Sequence, residues 1–270
     1  MNRGVTRLLD LLLPPACAGC GVGLSRGSRG PRICPGCRSR LRSPPHPRCP
    51  RCHAPRGTGL PPDRPCPECT PWPDELAWAR SGFVLAEPAG KLVHALKYGG
   101  WAELSGEMAG LLVPREVIPG EVPRDAPLVP VPTTPSREKE RGYNQARLLA
   151  RALSERAERP VVEALARREG GETQVFLHPS ERRANVLQAF FLQEDGRREI
   201  EGREVILVDD VLTTGATAGA AARVLAAGGA RRVGVVAFAR ALPGAAGQMD
   251  PPDAWGVSPD VQPRSRGKKG

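Results

Sequence analysis

Eight cysteines fall within the first 70 residues as four Cys-x2-Cys pairs, and the second two pairs repeat the first two at a constant offset of 32. The first half holds Cys17, Cys20, Cys34 and Cys37, the second Cys49, Cys52, Cys66 and Cys69, with thirteen residues between the pairs of each half. Thiolates two residues apart converge on one tetrahedral metal, and two such pairs complete a four-cysteine zinc site. The repeat therefore predicts two zinc ions in a Cys-rich domain over residues 1–70. The competing reading is a disulfide framework, which needs an oxidising compartment. Arg7 and Asp10 interrupt the apolar stretch 5–13, which reads as a short amphipathic helix and not as a signal-peptide core. No apolar run reaches the roughly 18 residues of a bilayer span. A cytoplasmic location is expected, and it favours zinc. His46 and His53 are available as substitute ligands, which four complete pairs make unnecessary.

The same 70 residues carry twelve arginines and no lysine against Asp10, Asp63 and Glu68, so they hold +9 of the chain's net +10. Clustered arginine is an electrostatic footprint for phosphate backbones. Eight thiolates and two zinc ions together add about −4, which lowers the domain to about +5. The segment has no Phe, Trp or Tyr, so the stacking platforms that hold single strands are missing there. Its Pro and Gly content leaves too little apolar surface to fold without metal. A structural or partner-facing role is expected, with nucleic-acid contact as the alternative.

A second feature constrains the rest of the chain: Val205-Ile206-Leu207-Val208-Asp209-Asp210-Val211-Leu212-Thr213-Thr214-Gly215-Ala216-Thr217. An apolar run ends in paired carboxylates and passes through a hydroxyl-rich loop into an alanine-rich segment, which reads as buried strand, loop and helix. Thr213, Thr214 and Thr217 offer hydroxyls, and amides at the helix start point outward, so the loop suits a phosphate. Adjacent acids would repel that phosphate unless they address sugar hydroxyls or a cation, and a sugar phosphate satisfies both halves. An ordinary Thr-capped helix start is the plain alternative. No Lys follows Gly215, which excludes the nucleotide-triphosphate loop.

Between these features, beyond the linker Thr70-Pro71-Trp72-Pro73, the pattern predicts a strand at 78–85 and helices at 90–97 and 101–113. Lys97-Tyr98-Gly99-Gly100 reads equally as an anion contact or a surface lysine ending a helix. A short strand at 128–132 runs into Thr133, Thr134, Arg137, Lys139 and Arg141, a loop with the donors and charge that pyrophosphate needs, or simply a solvated charged loop. A helix follows at 146–158. The segment 173–190 contains Gln174, Arg182 and Asn185 and has the polarity of a lid, although its apolar residues also suit a β-hairpin. Residues 192–204 read as a charged loop, 233–238 as a second buried strand, and 243–270 as a disordered tail.

Several of these stretches, in this order, resemble the ComF family, also called the competence-protein F or GntX family. They are the four Cys pairs, Lys97-Tyr98-Gly99, the Pro-Val-Pro strand, Arg141-Gly142-Tyr143-Asn144-Gln145, the 173–190 segment and the Asp-Asp-x-x-Thr-Thr-Gly run. Tyr143 stands where the family motif has Phe. The Asp-Asp run itself is similar to the phosphoribosyl pyrophosphate (PRPP) signature of type I phosphoribosyltransferases. The resemblance implies an α/β type I phosphoribosyltransferase fold, a parallel sheet flanked by helices, over residues 71–242, behind the zinc domain. It implies that Asp209 and Asp210 hold the ribose hydroxyls and that Thr213, Thr214, Gly215, Ala216 and Thr217 hold the 5-phosphate. Mg²⁺, Thr133, Thr134, Arg137 and Arg141 would face the pyrophosphate, and Gln174, Arg182 and Asn185 would belong to the lid. Two functions follow from it. One is transfer of phosphoribose to an unidentified nitrogen acceptor. The other is a non-catalytic PRPP-binding module that docks a DNA-uptake partner, a competence helicase-type protein or single-stranded DNA, through the zinc domain.

Overall fold

The structure is a computed structural model and describes residues 16–24, 33–56, 61, 66–115, 117–169 and 189–242. The expected helix at 5–13, the lid residues Gln174, Arg182 and Asn185, and the tail from 243 onward lie outside the described residues.

The central element is a parallel sheet of β1 (Leu76–Val84), β2 (Leu128–Pro130), β5 (Glu204–Leu212) and β6 (Arg232–Arg240) in the order β1-β6-β5-β2. The two central strands carry apolar runs at 205–208 and 233–239 because both faces are covered there, as parallel sheets require. On one face Val205, Leu207, Val233 and Val235 share a core with Ala218, Ala221 and Leu225 of α7 (Ala216–Ala227). On the other, Ile206, Val208, Val236 and Phe238 pack with Leu92 of α2 (Ala89–Tyr98), Met108 of α3 (Leu104–Leu112) and Leu149 of α5 (Gln145–Ala157).

Two segments expected to be loops contain helices. Within 133–145 lies α4 (Pro135–Arg141): Thr134 caps it by accepting from the Arg137 amide at 3.4 Å, Pro135 occupies the first turn, and Gly142 ends it at φ 82°. Within 192–204 lies α6 (Glu194–Ile200), with acids in its first turn and arginines in its last, as the helix dipole favours. A short antiparallel pair, β3 (Leu165–Arg167) with β4 (Phe190–Leu192), flanks the 170–188 segment.

The cysteine repeat is also a structural repeat. Antiparallel bridges join Ala16 to Gly23 and Arg48 to Pro55, and Cys17 and Cys49 donate to the carbonyls of Val22 and Ala54, each pair again offset by 32. Gly21 and His53 occupy matching left-handed positions at φ 75° and 62°. The second pairs diverge, since Cys34 and Cys37 open the helix α1 (Pro35–Arg40) whereas Cys66 and Cys69 form a turn.

The two halves pack into different cores. Cys17 and Cys37 pack with Phe83 and Leu92, while Cys49 and Cys69 pack with Trp72, Leu76 and Ala79. Both halves meet β1, at one edge of the sheet, where Ala79 donates to the Arg51 carbonyl and Val84 to that of Arg42, each at 2.8 Å. Among the described residues no helix is long and apolar enough to cross a membrane.

Candidate active site

β5 runs through the acid pair to Leu212, so both aspartates lie within the strand and leave its axis on opposite sides. Asp210 is 2% exposed, and Asp209 is half-buried. The Asp210 amide donates to Asp209 Oδ1 at 2.8 Å, and Lys97 Nζ stands 2.7 Å from Asp210 Oδ2. Burial and the charge of Asp210 push the Asp209 carboxyl well above its ordinary range, with Lys97 opposing them. Lys97 ends α2, and its ambiguity in the sequence is resolved here: it is the counter-charge of a buried aspartate.

The Arg141 to Gln145 motif supports that arrangement. Tyr143 Oη donates to the Leu96 carbonyl at 2.6 Å, fixing the last turn of α2 beside Lys97. A Phe at this position could not make that bond. Asn144 caps α5 through the Ala146 amide at 3.0 Å and donates to the Val131 carbonyl at 3.1 Å, tying the helix to the end of β2. Arg141 lies over the Tyr98 ring, 4.8 Å from its centroid, and donates to Gln145 Oε1 at 3.1 Å.

Beyond β5, Thr213 and Thr214 are exposed, Gly215 adopts φ 81°, Ala216 opens α7, and Thr217 is half-buried in its first turn. Thr214 Oγ1 accepts from the Ala216 amide at 3.4 Å. Helix-start amides and hydroxyls therefore face the same end of the sheet as the aspartates, the carboxyl edge where open α/β sheets place ligands. The loop is held from behind by Trp72, whose Nε1 donates to the Thr214 carbonyl at 2.7 Å.

The third group gathers around α4. Thr133 is buried at the end of β2, Thr134 is the cap, and Arg137 is exposed. Arg167 of β3, which nothing in the sequence singled out, joins them. Burial lowers the pKa of its guanidinium and Arg137 lowers it further, while Asp209 opposes both, so Arg167 lies within electrostatic reach of each. A cleft of about 440 Å³ opens beside α4, lined by Thr133, Lys139, Gly142 and Arg167 among others, and the acid pair is not part of its wall. Ser136 donates through its amide and hydroxyl to the Glu169 carboxylate, at 2.6 and 2.9 Å.

Each half of the cysteine repeat gathers its four sulfurs within 4.8 Å of one another. Ligands about 2.3 Å from a tetrahedral zinc stand about 3.8 Å apart. The observed Sγ separations fit: 3.7 Å for Cys20 and Cys34, 3.7 Å for Cys49 and Cys69, 3.4 Å for Cys52 and Cys66. Backbone amides already serve the thiolates, as Gly19 and Cys34 donate to Cys17 Sγ. Burial alone raises the Cys49 thiol, yet amides of Cys52, Cys66 and Arg51 outweigh it and bring it down to about 6. His53 is not aimed at the sulfurs; its Nε2 meets Arg48 at 3.2 Å.

A parallel sheet with an acid pair and a hydroxyl-rich helix start at its carboxyl edge, behind two four-cysteine sites, defines a phosphoribosyltransferase-fold protein with an N-terminal zinc ribbon. A family model described as a double zinc ribbon domain matches residues 8–70, and one for a phosphoribosyl transferase domain matches residues 140–257. The chain is 33% identical over 242 residues to the DNA utilization protein YhgH of Escherichia coli strain K12, covering 86% of this chain and all of that protein. It is 29% identical over 202 residues to the competence protein ComFC of Bacillus subtilis strain 168, covering 72% and 78%. Competence protein F of Haemophilus influenzae matches at 37% over 115 residues, 42% of this chain and 50% of that protein. The chain belongs to the ComF family.

Proposed function

We propose that the protein is a cytoplasmic phosphoribosyltransferase that binds PRPP with Mg²⁺ and transfers the phosphoribosyl group to a nitrogen nucleophile, in support of DNA utilisation or uptake. The observation that carries this reading is the Asp209–Asp210 pair, charge-compensated by Lys97 at 2.7 Å and one loop away from the start of α7. In the reaction the bond from ribose C1 to the pyrophosphate oxygen breaks, a C1–N bond forms, and the nucleophile gives its proton to solvent. The transition state gathers positive charge on the sugar and negative charge on the leaving group, so the protein's task is positioning and electrostatics.

Asp209 and Asp210 accept hydrogen bonds from the ribose hydroxyls, and Thr213, Thr214 and Thr217 with the amides of Gly215 and Ala216 take the 5-phosphate. Thr133, Thr134, Arg137 and Arg141 face the pyrophosphate, with Arg167 beside them; Gln174, Arg182 and Asn185 close over it. Bound Mg²⁺ supplies charge neutralisation on the pyrophosphate oxygens. Residues 1–70 form the zinc unit, with one ion in each four-cysteine site, and residues 71–242 the transferase unit. The zinc unit supplies the face toward the DNA-uptake partner.

Isothermal titration with PRPP and Mg²⁺, followed by a screen of nitrogen acceptors for pyrophosphate release, tests the reading. Saturable PRPP binding with acceptor-dependent release supports catalysis. Binding without turnover for any acceptor replaces the transferase by a PRPP-binding module, and absence of PRPP binding rejects both.

A further inference from the structure

The second four-cysteine half reaches the Thr213–Thr217 loop through a short chain of direct contacts. Arg51 lies between Cys49 and Cys52 and donates to the carbonyls of Cys69 (3.2 Å), Pro73 (2.7 Å) and Leu76 (3.0 Å), so it fastens the segment that leaves the last cysteine. Its guanidinium also stands 5.9 Å from the centroid of the Trp72 ring. Trp72 is 6% exposed and spends its single donor on the Thr214 carbonyl at 2.7 Å. Its indole closes on Gly215, where an added Cβ would come within 2.4 Å of Nε1, and Pro73 closes on Gly219, where a Cβ would come within 2.9 Å of Cδ. Residues 72 and 73 thus form a lining behind the first turn of α7.

The bond to Thr214 orients a carbonyl inside the loop, and in a trans peptide the Gly215 amide points away from it. A peptide plane fixed at its oxygen fixes the amide that follows, here that of Gly215. Without this bond the Thr214 peptide keeps the weak bond from the Ala216 amide to Thr214 Oγ1 at 3.4 Å, while the bond from the Gly219 amide to the Gly215 carbonyl at 2.7 Å holds the helix start and not the Thr214 carbonyl.

We infer that Trp72 is a positioning residue for the phosphate loop, and that the metal site built from Cys49, Cys52, Cys66 and Cys69 pre-organises PRPP binding through Arg51 and Trp72. The inference rests on the reading of residues 213–217 as the 5-phosphate loop. The other four-cysteine half has no such route among the described residues, because it packs on the opposite face of the sheet. The two metals are therefore unequal: one braces the substrate loop and the other does not.

The test uses the full chain with Trp72→Phe, which keeps a ring over Gly215 and removes the N–H donor, and Gly219→Ala, which displaces Pro73 without touching a group assigned to PRPP. Zinc content, amide hydrogen exchange across residues 213–219 and PRPP affinity are measured together. Both variants are expected to retain two zinc ions. Amide exchange in the loop should speed up by about five- to tenfold and PRPP affinity fall by a similar factor, the scale of one hydrogen bond. In a separate variant, Cys66→Ser, the same loop amides lose protection, whereas Cys20→Ser leaves them unchanged. Wild-type exchange in Trp72→Phe and Gly219→Ala, or equal loop effects of Cys66→Ser and Cys20→Ser, overturns the inference. Failure of the wild-type protein to bind PRPP rejects the transferase reading instead, while the exchange measurement still decides whether Trp72 holds the loop.

Discussion

Lys97 Nζ lies 2.7 Å from Asp210 Oδ2, joining the last turn of α2 to the carboxyl end of β5 across a nearly closed interior. The carboxylate is 3% exposed and the ammonium 24%. Removing one partner strands the other, and an uncompensated buried charge is costlier than the pair is favourable. Lys97→Met should therefore destabilise the protein by about 2–4 kcal/mol in urea unfolding. Adding Asp210→Asn should recover at least half of that loss, a coupling that only a double-mutant cycle measures. Additive losses would show that the two charges do not depend on each other.

Asp209 is raised by burial and by Asp210, so the folded chain holds its proton more tightly than the unfolded chain does. Stability therefore falls as pH rises from the ordinary carboxylate value of 3.8 toward the raised one. Asp209→Asn removes that cost. It should raise the melting temperature at pH 7 by about 2–4 °C, with the gain shrinking toward zero as pH drops through 3.8. The same change should abolish PRPP-dependent pyrophosphate release. A variant that is both unstabilised and active would contradict the electrostatic picture of this site.

The strand, the acid pair and the cysteine sites were legible because each depends on local pattern. The apolar run 205–208 that ends at Asp209 reads as a covered strand, and cysteine pairs spaced two apart, repeated at a constant offset, read as pairs converging on a metal. The α4 helix was legible too, through Thr134, Pro135, Glu138 and Gly142, but the arginine and lysine content of that stretch drew the reading toward a loop. Arg167 and Trp72 were not legible. Arg167 sits in a three-residue strand with no periodicity, and the bond from Trp72 to Thr214 spans 142 residues of sequence. A tryptophan between prolines looks like a linker until the partner strand order is known.

Because the Thr134 side chain accepts from the Arg137 amide and Gly142 supplies the left-handed end, α4 depends on its two caps. Thr134→Ala should cost about 1 kcal/mol and Gly142→Ala a comparable amount, since an Ala is strained at φ 82°. Circular dichroism melts check the stability loss. Under the transferase reading, PRPP affinity in both variants should fall further than the melting temperature alone accounts for.

Cys52→Ser should reduce metal content from two zinc ions to one by elemental analysis and lower the melting temperature by about 6–12 °C. Cysteine 52 is fully buried, and its carbonyl accepts from Arg240, a buried guanidinium at the end of β6. Retention of two ions would refute the assignment of four thiolates to each metal.

The hydrogen bonds from Ala79 to Arg51 and from Val84 to Arg42 give the cysteine repeat a duty unrelated to catalysis or partners. β1 ends the sheet, and an uncovered nine-residue edge with Ala79 and Phe83 buried behind it would be a template for joining another chain. The repeat is the cap on that edge, and zinc bound in its two four-cysteine sites would hold the cap in shape. Zinc starvation should therefore first produce insoluble, self-associating protein, and the protein's lifetime in the cell would follow the supply of that metal.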